Sequence, residues 1–209
     1  SKIIKPIRNK MENKYQWCIA AVPGEAWAKK VFPGCSKRQA VEKMWEAILN
    51  CARANGDAVA AWDDHNKDLI SRCQHLTDMG IKSLHITADN GTDFTVELIE
   101  ESHWCGGGDT TLDGIYFNPN MPTEECFISP MRGKAEGIVY STKPLSYQGQ
   151  LIENFSVRFE NGKAVEVHAE KGEEALKAMI SMDEGASYLG EVALVPERSP
   201  IAESGLLFY

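Results

Sequence analysis

Residues 151–170 read LIENFSVRFENGKAVEVHAE, two runs of alternating apolar and polar residues on either side of Asn161-Gly162. Alternation with a period of two is the pattern of a β-strand that buries one face. An Asn-Gly pair between two such runs is the strongest short signal for a β-hairpin, because both residues readily adopt positive φ. The stretch therefore predicts an antiparallel hairpin and is the clearest indication of fold in the chain.

Short alternating runs of the same kind fill the second half of the chain. They include TDFTVELI, GIYFNP, ECFIS and EGIVYST, separated by Asn, Gly and Pro, and one helical pattern over residues 172–190 interrupts them. We therefore predict that residues 91–209 form a mainly antiparallel β region with one inserted helix.

Residues 1–90 have a different pattern, in which helical spacing dominates. Ser36 is the expected cap of the first long helix, and Gly80 is the expected end of the second. These residues are thus predicted to be an α/β part, and the whole chain is predicted to have an α+β fold with a boundary near residue 90. The predicted elements of this part, in order, are a strand at 16–23, helices at 36–55 and 57–80, and a strand at 82–89.

The charge balance of the chain argues against several classes of partner. With 22 basic and 30 acidic residues among 209, the formal net charge is -8, whereas surfaces that bind nucleic acid carry clustered Lys and Arg. No run approaches the roughly 20 apolar residues that a membrane span needs. The N-terminal run SKIIKPIRNKMENK lacks the apolar centre of a secretory signal. We therefore expect no nucleic-acid or membrane partner and a cytoplasmic location.

The cysteines and histidines are too widely spaced for the common zinc motifs. The six cysteines include no CxxC pair, and the five histidines form neither HExxH nor a close pair. We expect the cysteines to be reduced thiols that lie mostly in the core. Any metal site must then use carboxylates, or residues outside this chain.

Two polar motifs favour structural roles over chemical ones. In HWCGGGD (103–109), a His and a Cys precede three glycines, but no helix follows to supply the positive terminus that phosphate loops use. A bulge or a tight turn is therefore favoured over anion binding or a cysteine nucleophile. In WDDH (62–65), metal-competent side chains fan round a predicted helix, which favours a solvated helix face.

Two predicted strand starts carry candidate metal-binding carboxylates. In PTEECFISP (122–130), successive side chains of an extended chain point to opposite faces, so Glu124 and Glu125 cannot both face one site. A carboxylate in such a position is most often a solvated surface group. In GEVALVP (190–196), Glu191 begins an otherwise apolar strand that we expect to be buried. Its carboxylate then either stays at the water-exposed end of the strand or must be paired, hydrogen-bonded or bound to a metal.

Longer strings of the sequence resemble a known family. MPTEECFISP, KAEGIVYSTKPLSYQGQLIENFSVRFENGKAVEVHAEKGEE and DEGASYLGEVALVPERSPIAESGLLFY closely resemble the metallo-aminopeptidases typified by aminopeptidase T and aminopeptidase S, in order and with little insertion. The string ITADNGTDFTVELIEESHWCGGG also resembles that family's strand and Gly-rich turn. The first 80 residues match less distinctively, through VPGEAWAKKVFP.

The resemblance implies a hydrolase that removes N-terminal amino acids from peptides with two adjacent divalent metal ions, which we expect to be zinc, cobalt or manganese. Motif matching places metal ligands on Glu125 and Glu191 and not on Glu124, and it assigns no catalytic residue to this chain. The remaining ligands of the family, histidines among them, lie beyond GLLFY. We therefore expect a middle fragment that is inactive alone, with peptides as substrates and a homodimer as its candidate assembly.

Two alternatives to a metallo-aminopeptidase stay open at this stage. The first is a non-catalytic module that binds a partner or oligomerises. The second, weaker alternative is a cysteine hydrolase that uses Cys105 with His103.

Overall fold

The computed structural model describes residues 14–208 and shows a mixed α and β fold whose largest element is an antiparallel sheet. The predicted α+β class is confirmed. The N-terminal run in which we sought a secretory signal lies, except for Lys14, outside the described residues. The helices are α1 (Glu25–Val31), α2 (Lys37–Cys51), α3 (Ala58–Asp78), α4 (Glu173–Ile180) and α5 (Pro200–Glu203).

The strands are short outside the central sheet, and they occur along most of the described chain. They are β1 (Ile19–Ala20), β2 (Ser83–Thr87), β3 (Asp93–Leu98), β4 (Asp109–Thr110), β5 (Tyr116–Phe117), β6 (Asn120–Met121), β7 (Cys126–Ile128), β8 (Pro130–Tyr140), β9 (Leu145–Tyr147), β10 (Gln150–Glu160), β11 (Lys163–Lys171) and β12 (Val192–Leu194).

The predicted hairpin is confirmed as the pair β10 and β11. The two strands run antiparallel, with Glu160 opposite Lys163 at the turn. Asn161 has φ 50° and Gly162 has φ 76°, so both turn residues adopt the left-handed conformation that an Asn-Gly hairpin requires.

The central sheet has six strands in the order β11-β10-β8-β3-β2, with β9 beside β10. Its pairings are antiparallel, and β3 alternates strictly between exposed and buried residues. Helix α4 packs against β10 and β11 and buries Leu176 there. The buried core of this layer consists of Phe94, Val96, Ala135, Ile152, Val157, Phe159, Ala164, Ala169 and Leu176.

The start of α2 and the end of α3 agree with the sequence prediction, whereas α2 ends at Cys51, four residues before the predicted end. The Ser36 hydroxyl accepts a hydrogen bond from the Gln39 amide, and the Gln39 side chain accepts one from the Ser36 amide, which forms a capping box at the start of α2. Helix α3 ends two residues before Gly80, which has φ 60°.

The helix predicted over residues 172–190 is shorter than expected and ends at Ile180. The Asp183 carboxylate accepts hydrogen bonds from the amides of Gly185 and Ala186 at 2.8 and 2.9 Å. Such local side-chain bonds satisfy backbone amides that a continuing helix would have used. The prediction of a helix as far as residue 190 was therefore wrong.

Contacts divide the described chain into two compact units. The first contains residues 14–73, 105–126 and 194–208, and the second contains residues 74–104 and 127–193. The central sheet and α4 belong to the second unit. The first contains a small core in which Ala28, Ala40, Met44 and Ile48 of α1 and α2 are buried together. The boundary near residue 90 stays a prediction.

Three two-stranded sheets complete the strand pairing. Strand β1 pairs with β6 in parallel, β4 pairs with β5 in antiparallel orientation, and β7 pairs with β12. None of the helices found between residues 14 and 208 combines the length and the apolar composition that crossing a bilayer requires.

We predict that alanine will be tolerated differently at two hairpin glycines. Gly162 and Gly149 have φ of 76° and 77°, but a Cβ at Gly162 would lie 2.5 Å from the backbone of Gly133, whereas a Cβ at Gly149 meets nothing within 4 Å. Gly149→Ala should cost about 1 kcal/mol for the left-handed φ alone, and Gly162→Ala about 3 kcal/mol.

Urea unfolding of both variants measures this difference in the free energy of unfolding. Gly149→Ala is the matched control, because it imposes the same backbone conformation without the close approach. Equal losses in the two variants would contradict the steric part of the prediction.

Candidate functional site

The two adjacent glutamates that precede β7 lie in different surroundings. Glu124 is 7% exposed and is buried together with Cys126 and Ile128. Glu125 and Phe127 are half-buried. The predicted alternation of faces is therefore confirmed here, and the buried member of the pair is Glu124.

Arg53 neutralises the buried Glu124 carboxylate. Its Nη2 donates to Oε2 of Glu124 at 2.9 Å, and its Nη1 donates to Oε1. The two side chains are 21% and 7% exposed. An arginine that donates to both oxygens of a carboxylate fixes the geometry of the pair as well as its charge. Both Glu124 oxygens are therefore engaged by the guanidinium.

Arg53 lies in a tight turn at the end of α2. Its φ is 52°, in the left-handed region that often follows a helix end. The preceding carbonyl, that of Ala52, accepts a hydrogen bond from Nε1 of the buried Trp62 at 2.7 Å. The turn that carries the guanidinium is thus held by a side chain from α3.

His65 of α3 holds the residue before Glu124. Its Nε2 lies 2.7 Å from the carbonyl oxygen of Thr123 and 3.9 Å from Oε1 of Glu124. Because a carbonyl oxygen only accepts, Nε2 carries the hydrogen in this contact. The imidazole also packs edge-on against the Trp62 ring, with centroids 5.6 Å apart.

The prediction of a solvated helix face for residues 62–65 was therefore only half right. Asp63 and Asp64 are exposed as expected, but Trp62 and His65 are turned inward. Four consecutive helical residues cover more than one turn, so a motif of this length reaches both faces of its helix.

The glycines of HWCGGGD allow close packing of the chain around this segment. A Cβ at Gly106 would lie 2.4 Å from the carbonyl oxygen of Glu125, and a Cβ at Gly108 would lie 2.2 Å from the Tyr116 ring. Gly107 has φ 79°. These close approaches give Gly106 and Gly108 a role in packing, while the bulge or tight turn stays a prediction.

Three cysteines lie close together beside the same segment. Burial, the neighbouring Cys126 and, more weakly, Cys105 together raise the pKa of the Cys73 thiol to about 12. Cys73 is therefore a neutral thiol at physiological pH and a poor nucleophile. No disulfide joins any of the six cysteines, of which Cys51, Cys73 and Cys126 are buried, Cys35 is intermediate, and Cys18 and Cys105 are exposed.

Glu191 lies at the surface of the second unit. It directly precedes β12, and its side chain is exposed. The prediction that β12 would be a buried strand was wrong, because Leu194 is 39% exposed and Val195 just beyond it is 55% exposed. An exposed carboxylate is solvated and needs no partner. The surroundings of Glu191 therefore do not explain why this position is acidic.

The described residues do not by themselves assemble a metal centre. Between residues 14 and 208, no group of three His, Cys, Asp or Glu side chains is arranged to hold a metal ion. The structure instead brings together Arg53, Glu124 and His65, which are far apart in the sequence. Sequence reasoning missed Arg53 and His65, because a buried carboxylate shows that a cation is needed but not which one.

The second unit contains a separate cavity of about 340 Å³. Its wall includes Leu76, Ile99 and the buried Trp104, with His103 and Glu101 supplying polar groups. The Trp104 amide donates a hydrogen bond to the Thr77 hydroxyl at 3.1 Å, which joins the loop that carries Trp104 to α3.

Comparison with known proteins gives a consistent result. The family described as thermophilic metalloprotease (M29) matches residues 1–209. Aminopeptidase AmpS of Bacillus subtilis (strain 168) is 46% identical over 198 residues, which are 94% of this chain and 48% of that protein. Aminopeptidase T of Thermus aquaticus is 47% identical over 194 residues, or 92% of this chain and 47% of that protein.

A solved structure also matches nearly the whole chain. Wild-type AmpT from Thermus thermophilus superposes with a TM-score of 0.91 and 42% sequence identity, and the match covers 99% of this chain and 51% of that one. The chain thus spans about half the length of the relatives that it matches.

We predict that the Arg53–Glu124 pair matters more for stability than an exposed pair of the same chemistry. Glu124→Gln removes the negative charge, so the partly buried Arg53 guanidinium is left without a counter-charge. This change should lower the free energy of unfolding by about 3 kcal/mol. The control is Glu42→Gln, which breaks an Arg38–Glu42 pair whose side chains are 90% and 61% exposed. It should leave the urea midpoint unchanged, and equal losses in the two variants would contradict the prediction.

Thiol reactivity should follow burial and protonation state. In the native protein at neutral pH, iodoacetamide should modify the exposed Cys18 and Cys105, whereas Cys73 should react only after unfolding, because its pKa of about 12 leaves almost no thiolate. Peptide mass spectrometry identifies the modified residues. Rapid native modification of Cys73 would show that its environment is more open or more polar than the structure indicates.

Proposed function

The chain belongs to the thermophilic metalloprotease (M29) family, and on that premise we propose that it is part of a metal-dependent aminopeptidase that releases N-terminal amino acids from peptides. Two relatives more than 45% identical to it are named aminopeptidases. Because the chain spans about half of each relative, the activity is proposed for the natural gene product that contains it. We propose that the 209-residue chain alone is inactive.

We propose Glu125 and Glu191 as the metal ligands that this chain contributes. The observation that supports Glu125 over its neighbour is the pairing of both Glu124 oxygens with Arg53. An ion on Glu124 would have to share that buried carboxylate with the Arg53 guanidinium, whose like charge opposes a second cation there. Glu125 directly precedes β7, and Glu191 directly precedes β12.

Oxygen ligands of this kind suit a site for two divalent ions. Such ions, when bound, lower the pKa of a water molecule and polarise the substrate carbonyl. The residues of this chain would hold the ions, with Glu125 presented from a half-buried position and Glu191 from an exposed one. Zinc, cobalt and manganese are the proposed ions, and metal analysis of the purified gene product distinguishes them.

The proposed partners follow from the same family membership and from charge. Peptides are the proposed substrates, and the net charge of -8 weakly favours ligands with a free ammonium group, as a peptide N-terminus has. A homodimer and a cytoplasmic location are further proposals. Light scattering of the gene product measures its assembly.

A binding module is the second candidate for the chain considered alone. The cavity lined by Leu76, Ile99 and Trp104 is the observation that favours it. Cavities that combine apolar walls with a few polar groups are the usual form of a small-molecule site. Binding of small peptides or amino acids by the isolated chain, without turnover, would support this alternative.

We predict that the natural gene product hydrolyses the N-terminal bond of short peptides, that a chelator abolishes this activity and that a divalent ion restores it. Glu125→Gln or Glu191→Gln should lower kcat/KM by about 100-fold or more and reduce the bound metal, because each removes a charged ligand. Asp64→Asn is the control, since that carboxylate is 83% exposed on α3 and should be dispensable.

Cys105→Ser distinguishes the metallopeptidase from a cysteine hydrolase. The metal-dependent proposal expects unchanged turnover in this variant. A large loss of turnover in a folded protein, together with insensitivity to chelator, would favour the cysteine mechanism and contradict the proposed function.

A further inference from the structure

We propose that Cys105 is a site of oxidation by hydrogen peroxide, and that the oxidation passes from it through Cys73 to a disulfide between Cys73 and Cys126. This inference goes beyond the proposed function, because it needs neither a bound metal ion nor peptidase activity. It gives a chemical role to the cysteine of HWCGGGD and to two buried thiols that the peptidase leaves without one.

Three thiols of the first unit form a group in which one is exposed and two are buried. Cys105 is exposed, whereas Cys73 of α3 and Cys126 of β7 are buried. A hydrogen bond joins the Cys73 and Cys126 thiols, and Cys105 is near enough to interact with Cys73 electrostatically. The Sγ of Cys73 also lies 3.1 Å from where a Cβ at Gly106, the residue after Cys105, would be. Cys73 thus has one buried and one exposed thiol neighbour.

The group is a thiol site rather than a metal site. Structural zinc sites use four ligands from the protein and catalytic ones use three. Within the described range 14–208, no three His, Cys, Asp or Glu side chains are arranged to hold an ion. Thiols that lie beside one another have a second chemistry, the formation of a disulfide, which needs only that two sulfurs approach each other in the right geometry.

Of the three thiols, Cys105 is the one that a dissolved oxidant reaches. Oxidation of cysteine by peroxide follows exposure as well as thiolate character, so buried thiols are spared. In the first step the Cys105 sulfur attacks a peroxide oxygen, the O–O bond breaks, and a sulfenic acid and a water molecule form. The sulfur is oxidised by two electrons, and the peroxide is reduced by the same two.

Two further steps carry the oxidation inward. The Cys73 sulfur attacks the sulfur of the Cys105 sulfenic acid, the S–O bond breaks, and the thiol proton leaves with the displaced hydroxide as water. The Cys126 sulfur then attacks the Cys73 sulfur of this disulfide, and Cys105 leaves as a thiolate that takes up the proton released from Cys126. In sum, one peroxide and two thiols give one disulfide and two water molecules.

Proximity offsets the low reactivity of the buried thiols. A reaction partner that is held in place acts at an effective concentration far above that of any solute. Cys73 can therefore react with a sulfur beside it, although a dissolved alkylating agent does not reach it. The final disulfide joins two buried residues and is shielded from soluble reductants, while Cys105 returns to its reduced form.

The test treats the natural gene product with hydrogen peroxide in the presence of a chelator, which removes metal ions that bind thiols or catalyse their oxidation. Remaining thiols are then blocked with iodoacetamide in urea. Peptide mass spectrometry without reduction should find a Cys73–Cys126 link, with Cys105 recovered as an alkylated thiol. A Cys105 that ends as sulfinic or sulfonic acid, with Cys73 and Cys126 both alkylated, would overturn the proposal.

A matched pair of variants tests whether Cys105 is the point of entry. Cys105→Ser should slow formation of the Cys73–Cys126 link by about 10-fold or more, because the peroxide loses its accessible thiol. Cys18→Ser is the control, since Cys18 is also exposed and its thiol lies 3.8 Å from the Ile19 carbonyl oxygen. It should leave the rate unchanged. A parental rate in Cys105→Ser, or equal slowing in both variants, would overturn the assignment of Cys105.

Cys126→Ala tests the order of the transfer. This variant should stop after the second step, so that a Cys73–Cys105 disulfide accumulates. If it does not fold, an acid-quenched time course of the parent replaces it, because the Cys73–Cys105 link should appear before the Cys73–Cys126 link. A Cys73–Cys126 link without that precursor would contradict the transfer. None of these measurements needs turnover, so a gene product without peptidase activity would contradict the proposed function and leave this test intact.

Discussion

A carboxylate that is buried beside apolar side chains requires a cation, and the organisation around β7 depends on how Glu124 meets that requirement. Its partner, Arg53, comes from the end of α2, and its neighbour His65 comes from α3. Since both oxygens of the carboxylate are engaged, the pair fixes direction as well as distance. The segment that carries Glu125 therefore has its position set by residues that lie 58 and 71 positions earlier in the chain than the groups they contact.

The central sheet, by contrast, is determined by patterns within short stretches of sequence. Alternating side chains give each strand one buried face, and positive φ at Asn161 and Gly162 turns the chain back on itself. Close approach of strands then limits what can replace a glycine. At Gly137, for example, φ is 107° and a Cβ would lie 2.2 Å from the carbonyl oxygen of Asp93. The sheet is thus specified by short stretches of sequence, whereas the ion-pair region of the first unit is specified by contacts between distant ones.

The same contrast explains which parts of the candidate site could be predicted. Alternation in PTEECFISP correctly separated Glu124 from Glu125, because the rule is local. It gave no information on Arg53 or His65, since nothing in a sequence states which cation will reach a buried carboxylate. The helical motif at residues 62–65 shows the limit of pattern reasoning, because its charged residues suggested a solvated face while Trp62 and His65 turned inward. The resemblance to aminopeptidases proposed Glu191, which burial alone would not have singled out.

The sequence by itself determined the α+β class, the hairpin, the start of α2, the end of α3 and the family, because each depends on short-range periodicity, turn residues or extended similarity. It misjudged the length of α4, where the Asp183 side chain competes with the helix for backbone amides. Tertiary structure alone decided that Glu124 would be paired with Arg53, that the buried Cys73 thiol would have a raised pKa, and that the glycines at 106 and 108 would have no room for side chains. These features arise where segments distant in the chain exclude water together, and burial of that kind is a property of the folded chain rather than of any short stretch within it.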